Sequence, residues 1–286
     1  MQSEIIPYGR QHITEEDIQA VIESLKSDYL TQGPRISEFE TNFAKYIGAK
    51  YAVAVANGTA ALHLCAMALD VKEGDKVITT PLTFAASANC VRYCGGEVVF
   101  ADIDKDTYLL DLQSVRKLLE TAPKGTYKGI IPVDFAGRPI DLEAFRALAN
   151  EYNLWIIEDA CHAPGGYFVD KANKKQYCGN GNFADLAIFS FHPVKHIAAG
   201  EGGMITTNDE ALYKKLLLLR THGITRDNDS FTNSITFAGG KEVYPSWYME
   251  MQVLGYNYRI TDFQAALGNS QLQRADEGLE RRRTIA

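Results

Sequence analysis

Hydrophobic and polar positions alternate in blocks, with short apolar runs followed by stretches at helical spacing. The apolar runs are YAVAVA (51–56), KVITT (76–80), EVVFADI (97–103), GIIPVDF (129–135), LWIIEDA (154–160), DLAIFSF (185–191) and GMITT (203–207). Helical patterns such as GTAALHLCAMAL (58–69) and LEAFRALANEY (142–152) lie between them. Runs that are apolar throughout are typical of strands buried on both faces. The pattern therefore predicts an α/β fold with a mainly parallel central sheet and helices on both faces.

The segments outside these blocks have different patterns. Thr14 and Asp17 resemble a capping box before a first amphipathic helix, and Gly48 ends a second one. Residues 224–250 form an aperiodic excursion, and 260–286 are again helical in pattern, with Thr261 as the candidate cap. We expect residues 1–258 to form one large domain and 259–286 to form a helix leading from it.

Composition narrows the class of protein. A net charge of −7 argues against a nucleic-acid binder. The apolar runs are too short to span a bilayer, and the first twelve residues lack signal-peptide features, so we expect a cytoplasmic protein. The five cysteines form no CxxC pair, which favours a reduced compartment and no metal site.

Open parallel sheets bind ligands beyond the carboxyl ends of their strands, so the residues that follow each apolar run are the candidates for a functional site. Thr59 and Ala60 begin a helix whose N-terminus suits a phosphate, although a simple turn gives the same string. Phe84 follows the second run and either stacks on a planar ring or belongs to the core. Asp159 follows the fifth run, where a carboxylate suits a protonated ring nitrogen unless the loop is simply exposed.

Lys195 follows the sixth run, among small and apolar residues. Most lysines are surface groups, but desolvation would free this amine to attack a carbonyl carbon. A phosphate cradle, a stacking aromatic, a carboxylate and an amine at one edge of a sheet are the requirements of pyridoxal phosphate.

The motifs also resemble those of a known family. The matching strings are LTQGP (30–34), NGTAALH (57–63), TTPLTFAASAN (79–89), VDFAGRPIDLE (133–143), IIEDACHAPGG (156–166), FSFHPVKHIAAGEGGMITT (189–207), RTHGI (220–224) and LGYNYRITDFQAALGNSQL (254–272). Together they resemble the DegT/DnrJ/EryC1/StrS sugar aminotransferases, which have the fold type I architecture of pyridoxal-phosphate enzymes. FSFHPVK and VDFAGRP look most like the transaminases that aminate C4 of a UDP-linked 4-keto-6-deoxy-N-acetylhexosamine, as in pseudaminic acid biosynthesis.

The resemblance implies a role for each candidate residue. Lys195 would form the Schiff base and act as general acid and base, and Asp159 would pair with the ring nitrogen. The other implied cofactor contacts are His162 at the phenolic oxygen, Phe84 on the ring, and Thr59, Ala60 and Ser190 at the phosphate. Asn257 would reach the cofactor phosphate of a second subunit, which implies a homodimer. Tyr8, Asp28, Tyr29, Leu30 and Thr31 match nucleotide-sugar contacts.

Three alternatives accompany this interpretation. Amination at C3 of the sugar is compatible with the same motifs. Dehydratases of the family have histidine in place of the Schiff-base lysine, so Lys195 argues against that activity. Relatives continue into a small C-terminal domain, and this sequence stops in the helix that leads to it, so a non-catalytic cofactor-binding fragment is the third alternative. Glutamate is the expected amino donor.

Overall fold

The computed structural model describes residues 9–285, so Tyr8 lies outside the described residues. The strands are β1 (Tyr51–Val55), β2 (Lys76–Thr79), β3 (Glu97–Phe100), β4 (Tyr127–Ile131), β5 (Trp155–Asp159), β6 (Tyr167–Val169), β7 (Lys175–Tyr177), β8 (Leu186–Ser190), β9 (Gly203–Thr207), β10 (Ile224–Thr225) and β11 (Glu250–Met251). The helices are α1 (Glu15–Leu25), α2 (Pro34–Ile47), α3 (Gly58–Ala68), α4 (Ala86–Tyr93), α5 (Leu112–Thr121), α6 (Leu142–Tyr152), α7 (Glu210–Arg220), α8 (Asp262–Leu272) and α9 (Ala275–Ile285).

The central sheet has seven strands in the order β1-β9-β8-β5-β4-β2-β3. Five of these strands form a parallel series in the order β8-β5-β4-β2-β3. Strand β9 lies between β1 and β8 and is antiparallel to both. The prediction of a mainly parallel sheet is confirmed, and the single reversed strand is a feature that the apolar pattern did not reveal.

Alternate residues of the sheet pack into cores on its two faces. Val53 and Val55 of β1 join the core that contains α3, whereas Ala52 and Ala54 join the core that contains α2 and α8. Phe43 of α2 contributes an aromatic group to the second core, with its ring centroid 4.9 Å from that of Phe189. Helices on both faces are therefore confirmed, and they bury the strands from both sides.

The N-terminal helix is tied to the sheet through α8. The Thr14 N–H donates to Asp17 at 3.0 Å, as the capping pattern predicts. The Asp17 carboxylate is fully buried and accepts hydrogen bonds from Ser270, Gln271 and Arg274. This buried ion pair fixes α1 against α8.

The aperiodic segment predicted over residues 224–250 contains little regular structure and continues to Tyr256, so the excursion comprises Ile224 to Tyr256. Strands β10 and β11 form a two-stranded ribbon, and the Glu250 carboxylate accepts hydrogen bonds from the Thr232 and Asn233 N–H groups. Large apolar side chains are exposed along it. They are Phe237, Val243, Trp247, Met251, Val253 and Leu254. Within residues 9–285, none of the helices is long and apolar enough to cross a bilayer.

Candidate active site

The N-terminus of α3 lies against the end of β8. Asn57 caps the helix, and its Oδ1 accepts from the Ala60 N–H at 2.8 Å. A Cβ atom on Gly58 would lie 3.0 Å from Ser190 Cβ, so any larger residue would require Ser190 to shift. A Cβ atom on Gly203 of β9 would lie 2.6 Å from the Asn57 carbonyl oxygen, which places the start of β9 directly beside the cap.

This arrangement forms an anion cradle. The first N–H groups of a helix have no partner within the helix, and the helix dipole favours negative charge there. The Gly58 and Thr59 N–H groups are therefore available beside the Ser190 hydroxyl. The Ala60 N–H is already donated to Asn57, so its predicted phosphate contact requires Asn57 to release it. Gly58 is the donor that the sequence interpretation did not assign.

Asp159 ends β5 and is 5% exposed. Its Oδ2 accepts from the Ser87 hydroxyl at 2.7 Å, and its Oδ1 accepts from the Cys161 N–H at 3.2 Å. A carboxylate offers about four acceptor positions, so one further donor can be accommodated. The side chain is thus held from two sides and remains able to bind a cationic N–H group.

Phe84 belongs to the same corner. Its carbonyl oxygen accepts from the Ser87 N–H, so the aromatic residue lies one turn before the serine that holds Asp159. The ring is 77% exposed, which is unusual for a phenylalanine unless a flat ligand or another surface covers it. The structure is consistent with the stacking role predicted for Phe84 and does not place it in the core.

The imidazole of His162 is neutral and is oriented so that it can donate a hydrogen bond. Burial, and secondarily the charge of Lys195, lower the pKa of His162 below its usual value. Its Nδ1 accepts from the Ala136 N–H at 3.3 Å. A neutral imidazole that accepts at Nδ1 carries its proton on Nε2, so we assign that tautomer. His162 can therefore donate a hydrogen bond to an oxygen through Nε2.

Lys195 follows β8 and shares a cavity of about 500 Å³ with His162. Among the residues that the structure describes, ion pairs engage Lys76, Lys214 and Lys215 but not Lys195. Burial, and then the charge of Asp159, raise the pKa of the Cys161 thiol, and the charge of Lys195 opposes them. The predicted amine and carboxylate thus both lie near Cys161.

Part of the wall of this cavity is cationic. Arg282 and Arg283 of α9 line it together with His196. Burial and the charge of Arg282 lower the pKa of His196 to about 4, so this imidazole is neutral at neutral pH. An anionic molecule is therefore favoured in the cavity.

The donor set fits pyridoxal phosphate. The two helix N–H groups and Ser190 suit its phosphate, Asp159 its ring nitrogen, His162 its phenolic oxygen and Lys195 its aldehyde. The cavity volume is within the range of about 300–1,000 Å³ that is usual for small-molecule sites. Ser87 and Cys161 complete the site, and a serine one helical turn after Phe84 was the signal that could have identified Ser87.

Among the predicted site residues, His162 and Lys195 line this cavity, and the others do not. Asp28, Tyr29, Leu30 and Thr31 are exposed, and the Leu30 carbonyl and Thr31 contact the start of α8. Asn257 is exposed and forms a bridge with Thr221. The structure does not bring these side chains to the wall shared by Lys195 and His162.

Comparison with known proteins identifies the family. The model of the DegT/DnrJ/EryC1/StrS aminotransferase family matches residues 11–286. The chain belongs to this family. As a member of the DegT/DnrJ/EryC1/StrS family it is a pyridoxal-phosphate-dependent aminotransferase with the fold type I architecture, and both predictions are confirmed.

Two curated relatives of this aminotransferase match it over nearly its whole length. It is 40% identical to the spore coat polysaccharide biosynthesis protein SpsC of Bacillus subtilis, over 100% of this chain and 68% of the relative. It is 38% identical to the UDP-4-amino-4,6-dideoxy-N-acetyl-beta-L-altrosamine transaminase of Campylobacter jejuni, over 98% of this chain and 68% of that protein. The chain thus spans about two thirds of the length of these relatives.

Solved structures give the same result. Helicobacter pylori PseC, an aminotransferase involved in the biosynthesis of pseudoaminic acid, superposes with a TM-score of 0.80 at 31% identity, covering 96% of this chain and 67% of PseC. Spr1654 of Streptococcus pneumoniae in its PLP form superposes with a TM-score of 0.81 at 30% identity, covering 99% and 70% of the two chains. A PMP form of Spr1654 is also known, with a TM-score of 0.83.

Proposed function

We propose that this aminotransferase moves an amino group from glutamate to the C4 keto group of a UDP-linked 4-keto-6-deoxy-N-acetylhexosamine. The observation that carries the proposal is the cavity that Lys195 and His162 line together with Arg282 and Arg283. A nucleotide-linked sugar carries a diphosphate, which such a wall attracts. The Campylobacter jejuni transaminase and PseC support the choice of sugar.

Each residue of the site has a physical task in this reaction. When bound, pyridoxal phosphate supplies an aldehyde that carries the amino group and a protonated ring that withdraws electrons. Lys195 would hold this group through its aldehyde carbon, and its amine would move the proton at the reacting substrate carbon. Asp159 keeps the proton on the ring nitrogen, His162 donates to the phenolic oxygen through Nε2, and the Gly58 and Thr59 N–H groups hold the phosphate.

The proposal includes a homodimer with Asn257 in the partner's site. Tyr256 and Tyr258 stack with ring centroids 5.0 Å apart, and both lie beside His63. Because side chains alternate along an extended segment, Asn257 points away from this cluster, which is consistent with its exposure. The exposed apolar residues of the excursion support a partner surface next to it.

The test is product analysis with glutamate and a panel of UDP-linked 4-keto- and 3-keto-sugars. We expect a 4-amino sugar from the 4-keto-6-deoxy-N-acetylhexosamine and no product with Lys195→Ala. A 3-amino product would support the alternative of C3 amination. The absorbance of the bound cofactor should change when glutamate alone is added. A protein that binds the cofactor without this change would be a non-catalytic binder.

A further inference from the structure

Two buried carboxyl groups lie behind the site and have no part in the mechanism above. Asp134 and Glu158 are each 1% exposed, and Cys178 lies beside them. A carboxylate oxygen of Asp134, a carboxylate oxygen of Glu158 and the sulfur atom of Cys178 all lie within 4.8 Å of one another. Asp134 Oδ2 and Glu158 Oε1 have no hydrogen-bond partner among residues 9–285.

The other oxygen of each carboxyl group is firmly held. Asp134 Oδ1 accepts from the Ile140 N–H at 2.9 Å, which closes the segment 134–140 on itself. Glu158 Oε2 accepts from the Gly179 N–H at 2.9 Å. The pair therefore joins the segment after β4, strand β5 and the loop after β7.

Asp134 Oδ2 and Glu158 Oε1 are buried acceptor oxygens without a hydrogen-bond donor among the described residues, which is energetically costly. Two ionised carboxylates this close would also repel each other in a medium of low polarity. A single proton shared by the two carboxyl groups supplies the donor and removes the repulsion. Burial, together with the charges of Glu158's neighbours Asp134 and Asp159, raises the pKa of Glu158, and burial raises the pKa of Asp134 to about 6. At neutral pH the pair thus retains one proton.

The pair is connected to the catalytic groups through the backbone. The Asp134 N–H donates to the Asp159 carbonyl oxygen at 3.0 Å, and the Asp159 N–H donates to the Pro132 carbonyl oxygen at 2.9 Å. Two residues further along, Ala136 adopts a left-handed φ of 55° and donates its N–H to His162 Nδ1. The segment held by Asp134 is therefore the one that fixes the tautomer of His162.

We propose that Asp134 and Glu158 share one proton and act together as positioning residues, which hold the segment 134–140 so that Ala136 keeps His162 protonated on Nε2. The shared proton is independent of the reaction. The importance of the His162 tautomer rests on the proposed function. The pair also keeps a single negative charge near Asp159.

Infrared spectroscopy near neutral pH tests the shared proton. We expect a band from a buried protonated carboxyl group that disappears in both Glu158→Gln and Asp134→Asn, because each amide supplies the missing N–H donor and the remaining carboxyl group ionises. Glu97→Gln, at an exposed strand position, should leave the band unchanged. A wild-type protein without the band, or a band that persists in both variants, would overturn the shared proton. Loss of stability on addition of a chelator would indicate a bound cation instead and would also overturn it.

Nitrogen NMR of His162 in the cofactor-free protein tests the positioning. Glu158→Gln should retain the Nε2–H tautomer, whereas Glu158→Met leaves Asp134 Oδ2 without a donor and should give a mixture of tautomers. The Tm of Glu158→Met should fall by about 5 °C, and that of Glu158→Gln by much less. Should Glu158→Met fail to fold, Glu158→Asp withdraws the carboxyl group by one methylene and serves the same purpose. An unchanged His162 tautomer in the folded variant would overturn the positioning role.

Discussion

Buried polar groups dominate the carboxyl edge of the central sheet, whereas exposed apolar groups dominate the excursion from Ile224 to Tyr256. Asp159 is 5% exposed at the first place, and Trp247 is 68% exposed at the second. Both arrangements cost free energy in an isolated chain. We expect the cofactor to use the acceptors and donors at the sheet edge, and the partner subunit of the proposed dimer to cover the excursion. Residues that serve the cofactor and residues that serve a partner should therefore lie in different regions of the chain.

The largest effect should follow removal of the amine at the sheet edge. Lys195→Ala should lower transamination by about 10³-fold or more, because no other group moves the proton at the reacting carbon. The fold should be unaffected. Borohydride reduction of the wild-type holoenzyme followed by peptide mapping should place the pyridoxyl group on Lys195.

Two exposed lysines provide the controls for this prediction. Lys171→Ala and Lys241→Ala should retain full activity, since both residues lie at the surface. Finding the pyridoxyl group on either of them would contradict the assignment of the site.

Asp159→Asn should have the second largest effect. The amide has the same shape but cannot stabilise the positive ring nitrogen, so the half-reaction with glutamate should slow by about 10²-fold or more. Stopped-flow absorbance of the cofactor measures this rate. Ser87→Ala removes only one hydrogen bond to Asp159 and should have a smaller effect. Near-normal rates in Asp159→Asn would show that the carboxylate has another task.

The excursion can be tested by subunit mixing. Lys195→Ala subunits and Asn257→Asp subunits, each inactive alone, are mixed in equal amounts. Half of the resulting dimers are hybrids, and each hybrid has one intact site and one doubly altered site. The mixture should therefore recover about one quarter of wild-type activity. The added carboxylate at position 257 repels the cofactor phosphate only in the site that it reaches. If subunit exchange is confirmed and no activity returns, Asn257 does not act in the partner's site.

The apolar surface itself should determine association. Trp247→Ser and Leu254→Ser should each weaken dimerisation by about 2 kcal/mol if they lie at the centre of the interface. Val169→Ser, an exposed apolar position on β6, is the matched control. Sedimentation equilibrium over a range of concentrations measures the difference, and equal behaviour of all three variants would place the interface elsewhere.

The smallest effect concerns a buried carboxylate whose partner lies within the chain. Hydrogen bonds from Arg274, Thr14 and Ser270 outweigh burial and lower the pKa of Asp17 from 3.8 to about 2. A lowered pKa means that the contribution to stability is complete above about pH 4 and is lost as the pH falls towards 2. Asp17→Asn should remove about 1–2 kcal/mol of this pH dependence. Thermal unfolding of both proteins against pH measures it, and parallel curves would contradict the ion pair.

The sequence predicts where the strands lie along the chain better than it predicts whether each strand is parallel or antiparallel to its neighbours. The run GMITT has the same apolar character as its neighbours, and nothing in it distinguishes the antiparallel β9 from a parallel strand. Its reversal follows from the connection over residues 191–202, which contains no crossover helix and leads directly to the place beside β8.

The site was predictable where its residues follow strand ends. Asp159, His162, Lys195 and Ser190 follow or end β5 and β8 and lie together for that reason. Ser87 was missed because it lies within a helix and meets Asp159 across 72 residues of chain. The state of the Ala60 N–H depends on the rotamer of Asn57, which no sequence pattern specifies.

The position of β1 has a consequence for the order of folding. Among the strands that the structure describes, β1 pairs only with β9, whose residues lie about 150 positions later, as the pairing of Val53 with Ile205 shows. Closing such a distant contact is slow, and β1 cannot join the sheet before β9 has been synthesised. The N-terminus of α3, which we propose holds the cofactor phosphate, directly follows β1. Capture of the cofactor is therefore a late event, which a ribosome-bound chain shorter than about 207 residues should be unable to perform.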